Sequence, residues 1–247
     1  MVLVPIKCVN CGSTEVKKNG KSPSGKQRYL CCNEQCDKKT FIEEYTYNAY
    51  DPKVRSQIFF SIVNGSGTRA TARLLNIAKD TVTNALRSIE QNLWYVNHDY
   101  IEKHKNDEIS VEFVLADEVE MDEMWSFYHD KEHQIWLWWA IDHNTGEPLA
   151  FHFGNREHKN LDALSELLKP FFISIVYSDD NFAYKKRFEN NVTGKEYTQK
   201  IERKHLSLRT WCSRLVRKGI RFSKDKTMHI IAVALVINFW FFGRIVW

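Results

Sequence analysis

The chain of 247 residues is 43% hydrophobic, which is ample for at least one buried core and leaves room for one large or several small domains. Its net charge of +4 conceals a division: residues 1–93 carry 14 Lys and Arg against 8 Asp and Glu, residues 94–194 carry 9 against 20, and residues 195–247 carry 12 against 3. Basic ends point to a polyanionic partner, and the one segment resembling a membrane span, His229 to Phe242, is too short for a bilayer and holds Asn238, which argues against a membrane protein.

The chain opens on Cys8-Val-Asn-Cys11 and, after a polar turn-rich stretch, Cys31-Cys32-Asn-Glu-Gln-Cys36. Two close pairs set far enough apart to fold back on each other suit four thiolates on one zinc ion. The stretch from Lys18 to Lys26 cannot build a core, so a metal would have to hold this segment together. Disulfides are the weaker reading. Met1 to Ile6 is too short for a signal-peptide core and is followed by Lys7, and the remaining Cys212 is far away. A reducing, cytoplasmic location is therefore expected. Cys8 and Cys11 supply the first half of the site; the second pairs Cys36 with either Cys31 or Cys32.

After a Tyr-rich connection, Asp51-Pro52 signals a helix start. Val54, Ile58 and Ile62 follow at helical spacing, and Asn64-Gly-Ser-Gly67 stops the run. The spacing predicts a second short helix over Thr68–Leu75 and a third over Asp80–Glu90, separated by Asn76-Ile-Ala-Lys79. A short helix, a tight turn and an amphipathic helix form a helix-turn-helix layout. Val82, Leu86 and Ile89 make the inward stripe, which leaves Lys79, Thr81, Thr83, Asn84 and Arg87 outward, with Arg69 on the preceding helix. Such side chains suit base edges and phosphates of double-stranded DNA.

Residues 94–110 read as a connecting helix and polar linker. From Val111 the pattern changes to strands: Val111–Trp125, then the apolar run Gln134–Asp142, a turn at Asp142-His-Asn-Thr-Gly146, and a return over Pro148–Phe153. A helix over Lys159–Leu168, a strand over Phe172–Tyr177 and helices over Thr198–Val216 and Asp225–Phe242 complete a mixed α/β domain. The expected organisation is thus multi-domain: a small zinc ribbon (1–48), a helical helix-turn-helix unit (49–93), a linker (94–110) and an α/β domain with a mixed sheet (111–247).

Three acids stand out by position. Asp122 lies within the first strand of the second domain, Asp179 just past the fourth, and Glu202 is the sole acid between Glu196 and Asp225 on a basic helix. Three carboxylates from three elements suit two Mg²⁺ or Mn²⁺ ions for in-line displacement at phosphorus. Arg209, two helical turns after Glu202, suits a phosphate clamp. On residues alone, Asp117, Glu118, Glu120 and Glu123 compete with Asp122, and Asp180 competes with Asp179.

Several longer motifs narrow the choice. Lys18-Asn-Gly-Lys21, Gln27-Arg-Tyr-Leu-Cys31, Glu44-Tyr-Thr-Tyr47 and Asn64–Arg73 resemble the DNA-binding region of insertion sequence 1 family transposases. Glu120-Met-Asp-Glu-Met-Trp125, Tyr177-Ser-Asp179, Tyr197-Thr-Gln-Lys-Ile-Glu-Arg203, Leu206-Ser-Leu-Arg209 and Phe222-Ser-Lys224 resemble its catalytic region, in the same order. The resemblance implies an RNase H-like DDE fold with Asp122, Asp179 and Glu202 as the catalytic, metal-binding acids. It also selects Cys31 as the third zinc ligand. It implies an enzyme that binds the terminal inverted repeats of its element, acts on target DNA, and works as a nucleoid-associated homo-oligomer. The two regions, often joined in that family by frameshifting, are continuous here, so the full-length enzyme is expected. Asp180-Asn181 and Lys204-His205 depart from the family pattern. The alternative is a non-catalytic, transposase-derived regulator.

Overall fold

The computed structural model describes residues 5–23, 25–43, 48–104, 114–179, 182–216 and 218–246. The front is a three-stranded antiparallel sheet of β1 (Val16–Lys21), β2 (Gln27–Cys31) and β3 (Thr40–Ile42). It has almost no apolar interior. Cys8, Cys31, Cys36 and Phe41 are its buried centre, with Tyr29 stacked on Phe41 at 5.6 Å.

Helix α1 (Pro52–Val63) begins where Asp51 accepts a hydrogen bond from the Lys53 N–H, with proline in the first turn. Helix α2 (Thr68–Leu75) ends on Asn76 in the left-handed conformation, φ 51°. Ile77 and Ala78 complete the turn into α3 (Lys79–Ile89), which starts one residue earlier than its sequence pattern implies. Val82, Leu86 and Ile89 are its buried side, as the spacing predicts. Helix α4 (His98–His104) occupies part of the expected linker, and the stretch just before it adds a bridge from Val96 to Ala150.

The remaining elements are β4 (Val114–Leu115), β5 (Glu118–Phe127), β6 (Gln134–Asp142), β7 (Pro148–Gly154), α5 (His158–Leu167), β8 (Phe171–Phe172), β9 (Ile175–Ser178), α6 (Phe182–Arg187), β10 (Asn191–Thr193), α7 (Gln199–Trp211) and α8 (Lys226–Trp240). Five of these strands form one mixed sheet in the order β10-β9-β5-β6-β7. β5, β6 and β7 are an antiparallel meander, while β9 and β10 join parallel to β5 and β9. This is the RNase H-like arrangement. The expected single strand over Phe172–Tyr177 is two: β8 pairs with β4 in a separate ribbon, and β9 enters the main sheet. The first strand likewise begins later and runs on to Phe127, and α6 and β10 had no sequence signal.

Alternation along β6 sends Trp138 and Ala140 to one face and Leu137, Trp139 and Ile141 to the other. The first face packs with α5 residues Leu161 and Leu164 and with Tyr184 of α6. The second packs with α7 and with the almost wholly buried α8. Helices α1 and α3 rest on α8 in that same core. None of the helices described is long and apolar enough to cross a membrane.

Candidate functional site

Four of the front cysteines converge. Cys8 Sγ lies 3.8 Å from Cys36 Sγ and Cys11 Sγ lies 3.6 Å from Cys31 Sγ. All four sulfurs fall within 4.8 Å of one another. A tetrahedral zinc site with bonds of about 2.3 Å has sulfur–sulfur edges of about 3.8 Å, so the set fits that ion. Pleating of β2 decides between the adjacent cysteines: Cys31 is buried in the cluster, whereas Cys32 is exposed and outside it. Gly12, at φ +74°, closes the tight knuckle after Cys11. The Ser13 backbone N–H lowers the Cys11 pKa to about 7, while burial raises that of Cys31 to about 12.

The polar side of α3 is turned away from the core, as its pattern implies. Lys79, Asn84 and Arg87 are exposed and Thr81 and Thr83 half-buried, with Arg69 exposed on α2. Two of these side chains have local partners. Lys79 pairs with Asp80 at 3.5 Å, and the Thr83 hydroxyl bonds back to the Lys79 carbonyl at 3.2 Å.

The acids of the second domain gather where β9 stops. The last β5–β9 register pair is Glu120 with Tyr177, so β5 continues past that point with one edge open. Asp122 sits on this open stretch, and Asp179 immediately follows β9. Among the described residues, Asp122, Glu123 and Asp179 each bring an oxygen within 4.8 Å of the others. Glu202, exposed in the first turn of α7, lies outside that close group, although its charge still acts on Asp122. An all-oxygen donor set of carboxylates fits Mg²⁺ or Mn²⁺. Arg209 is half-buried two turns further along α7, and Asp180 lies outside the described residues.

Asp122 is costly to ionise. Burial is the first cause, and repulsion from Glu123, Asp179 and Glu202 adds to it, so its pKa rises to about 7 despite the N–H of Glu123 donating to Oδ1 at 2.7 Å. Such a carboxyl is relieved by a cation.

Two neighbours position this basin: His205, to which the sequence assigns no role, and Glu120, which the sequence offers only as a competitor of Asp122. His205, one turn after Glu202, is buried with Nδ1 3.4 Å from Asp122 Oδ2. The Trp139 indole N–H donates to His205 Nε2 at 2.7 Å. An indole nitrogen is donor only, so Nε2 is unprotonated and the hydrogen resides on Nδ1, facing Asp122. Trp139 is also the cross-strand partner of Asp122. Glu120, fully buried two residues before Asp122, holds the start of α7: Oε2 accepts the Ile201 N–H at 2.9 Å, and Oε1 bonds His143 Nδ1 at 2.8 Å. Lys200 adds bonds to the His143 and Asn144 carbonyls. Helix α7, and Glu202 with it, is thereby tied to the strand that bears Asp122. The bonding of Glu120 and the pairing of His205 with Trp139 join residues remote in sequence, so local pattern carries no trace of them.

Comparison with known proteins places these features together. A family model described as IS1 transposase matches residues 115–242, one described as InsA N-terminal domain matches 1–36, and one described as InsA C-terminal domain matches 45–89. The chain is 44% identical over 112 residues to insertion element iso-IS1n protein InsB of Shigella dysenteriae, covering 44% of this chain and 86% of that protein. It is 37% identical over 121 residues to insertion element IS1 protein InsB of Shigella sonnei, covering 48% and 92%. The catalytic core domain of BIV integrase aligns at a TM-score of 0.34 and 17% identity, over 49% of this chain and 82% of that one.

Proposed function

The chain belongs to the IS1 transposase family, and on that premise we propose that Asp122, Asp179 and Glu202 are the acids of its DNA strand chemistry. The enzyme is a DDE-type transposase. The observation that supports this reading is the oxygen cluster holding Asp122 and Asp179 past the end of β9, with the charge of Glu202 acting on Asp122 from the first turn of α7. Mg²⁺ or Mn²⁺ held there would activate the attacking hydroxyl and stabilise the leaving oxygen. His205 keeps the Asp122 carboxylate oriented, and Glu120 fixes the helix that delivers Glu202. Arg209 lies where a phosphate backbone following α7 would pass.

In this reading residues 1–93 bind the terminal inverted repeats. Zinc on Cys8, Cys11, Cys31 and Cys36 keeps the front sheet folded, and Arg69, Lys79, Thr81, Thr83, Asn84 and Arg87 face the DNA. The basic tail holds target DNA against an otherwise acidic surface. The division into 1–48, 49–93, 94–110 and 111–247 is one of roles, since the helix-turn-helix and the sheet share a core. We place the enzyme in the cytoplasm at the nucleoid, acting as a homo-oligomer.

The test is strand cleavage and transfer on a terminal-repeat substrate with Asp122→Asn, Asp179→Asn and Glu202→Gln, each beside a gel-shift measurement. Loss of chemistry with retained binding supports the assignment. Strand transfer by all three variants overturns it.

A further inference from the structure

Asp122 and Glu123 are consecutive residues of an extended strand, so their side chains leave opposite faces of the sheet. Consecutive strand residues rarely serve one ligand. Here they converge because β9 ends at Ser178 and leaves the edge of β5 open beyond its last pairing with Tyr177. The Glu123 N–H draws Asp122 Oδ1 to this edge at 2.7 Å. Glu123 comes round from the other face, and its oxygen stands within 4.8 Å of oxygens from both Asp122 and Asp179.

An acidic cluster alone would say little, but a second feature points the same way. Tyr184 on α6 is fully buried, its ring 6.4 Å from that of Trp138. Trp138 is the cross-strand partner of Glu123. The Tyr184 hydroxyl has no hydrogen-bond partner among the described residues. A buried hydroxyl left unpaired costs about 1–3 kcal/mol, so such groups ordinarily find partners. Burial first, and then the charges of Glu123, Asp122 and Asp179 against that of Arg156, hold this phenol well above its ordinary pKa. On the Glu123 side of the sheet, Tyr184 is therefore a buried donor with no partner among the described residues.

We propose that Glu123 is a further direct ligand of the divalent-metal site, reaching it from the opposite face of the sheet, and that Tyr184 positions it by donating its hydroxyl hydrogen to the Glu123 oxygen the ion leaves unused. This rests on the reading of Asp122 and Asp179 as metal ligands given above. It accounts for a buried hydroxyl that has no partner among the described residues: its partner arrives when the carboxylate is drawn toward the cation. Ligating carboxylates are generally held by such outer hydrogen bonds, whose loss weakens metal affinity about 10–100-fold.

The experiment is Mn²⁺ binding to the zinc-loaded full chain without DNA, read from the free-ion electron paramagnetic resonance signal, with metal-induced thermal shift as a second readout. Asp179→Asn tests the underlying site. Glu123→Gln and Tyr184→Phe test the proposal, and Glu166→Gln, an exposed acid on α5, is the control. Glu123→Gln should weaken Mn²⁺ binding at least about tenfold and Tyr184→Phe by about tenfold, with Glu166→Gln unchanged. Tyr184→Phe should also stabilise the metal-free protein while shrinking its Mn²⁺-induced shift. If Asp179→Asn loses Mn²⁺ and Glu123→Gln binds like wild type, Glu123 is no ligand while the parent site stands. If Asp179→Asn also binds like wild type, the parent site fails. If Tyr184→Phe raises metal-free stability but leaves Mn²⁺ affinity unchanged, the positioning role is refuted.

Discussion

Replacing Asp122 by asparagine should stabilise the metal-free protein while destroying its chemistry. The Asp122 side chain is 19% exposed, and burial followed by repulsion from Glu123, Asp179 and Glu202 raises its pKa from 3.8 to about 7. Below the unfolded value the carboxyl is neutral in both states and exacts nothing. As pH rises toward 7 the unfolded chain releases the proton while the folded chain retains it, so stability falls across that window. With a tenfold change in protonation worth about 1.4 kcal/mol, a rise from 3.8 to about 7 gives about 4 kcal/mol above neutrality. Asparagine removes that penalty but has a single oxygen, whereas the Glu123 N–H donates to one carboxylate oxygen and His205 Nδ1 stands 3.4 Å from the other. The displaced donor returns about 1 kcal/mol. The net expectation is a variant about 2–3 kcal/mol more stable than wild type near pH 8, with the advantage vanishing near pH 4.5. Urea unfolding followed by tryptophan fluorescence, in buffer free of Mg²⁺ and Mn²⁺ but with zinc retained, measures it. Adding Mn²⁺ should reverse the ranking, because only wild type gains a ligand. A variant no more stable than wild type at pH 8 would refute the claim that burial, with repulsion from its neighbours, penalises the ionised Asp122.

Three other outcomes are expected. Cys31→Ser should release zinc and unfold the front sheet, while Cys32→Ser, altering an exposed thiol outside the cluster, should keep stoichiometric zinc by metal analysis; the reverse pattern would exchange their roles. The double variant Arg69→Ala/Arg87→Ala should weaken terminal-repeat binding, a base contact being worth about 1–3 kcal/mol and a phosphate contact flattening the salt dependence. An unchanged Kd at every salt concentration would remove both from the interface. His205→Ala should slow strand cleavage about 10–100-fold at limiting Mn²⁺ with DNA binding intact, and His205→Asn should recover part of the loss by offering an amide N–H to Asp122. Equal rates for wild type and His205→Ala would make the histidine a packing residue only.

The helices and the meander were legible because their signals are local. Asp51 and Asp225 cap α1 and α8 as their positions imply, and the Val82/Leu86/Ile89 stripe is buried where its spacing puts it. Trp138 and Trp139, in the apolar run of β6, are core. Elements set by distant pairing were not legible. β8 and β9 look like one apolar run, but β8 finds its partner in β4 and β9 in β5. β10 is three residues long and exists only by its register with β9. The same limit applies to the acids. Alternation assigns Glu123 to the face away from Asp122, and nothing in the local sequence tells that the neighbouring strand stops in time for the two to meet.

That early stop also explains how one short stretch of β5 can serve both layers of the fold. A central strand paired along its whole length would keep the two faces chemically separate. Here no strand among the described residues pairs with that edge beyond Glu120, so in the proposed site the face covered by α7 would contribute Asp122, His205 and Glu202, and the face covered by α6 Glu123 and Tyr184. The helix-turn-helix is coupled to the first of these faces. Trp240 of α8 donates to the Val63 carbonyl at the end of α1, and the Ser213 hydroxyl just past α7 donates to the Gly65 carbonyl. Gly65 takes φ +84°, and a Cβ there would stand 3.0 Å from the Trp211 carbonyl oxygen, so the loop before α2 lies directly against the end of α7. Helices α3 and α7 thus belong to one packed unit, and in the proposed function the spacing between a base contacted by α3 and a phosphate near Glu202 would be set by packing rather than by a tether.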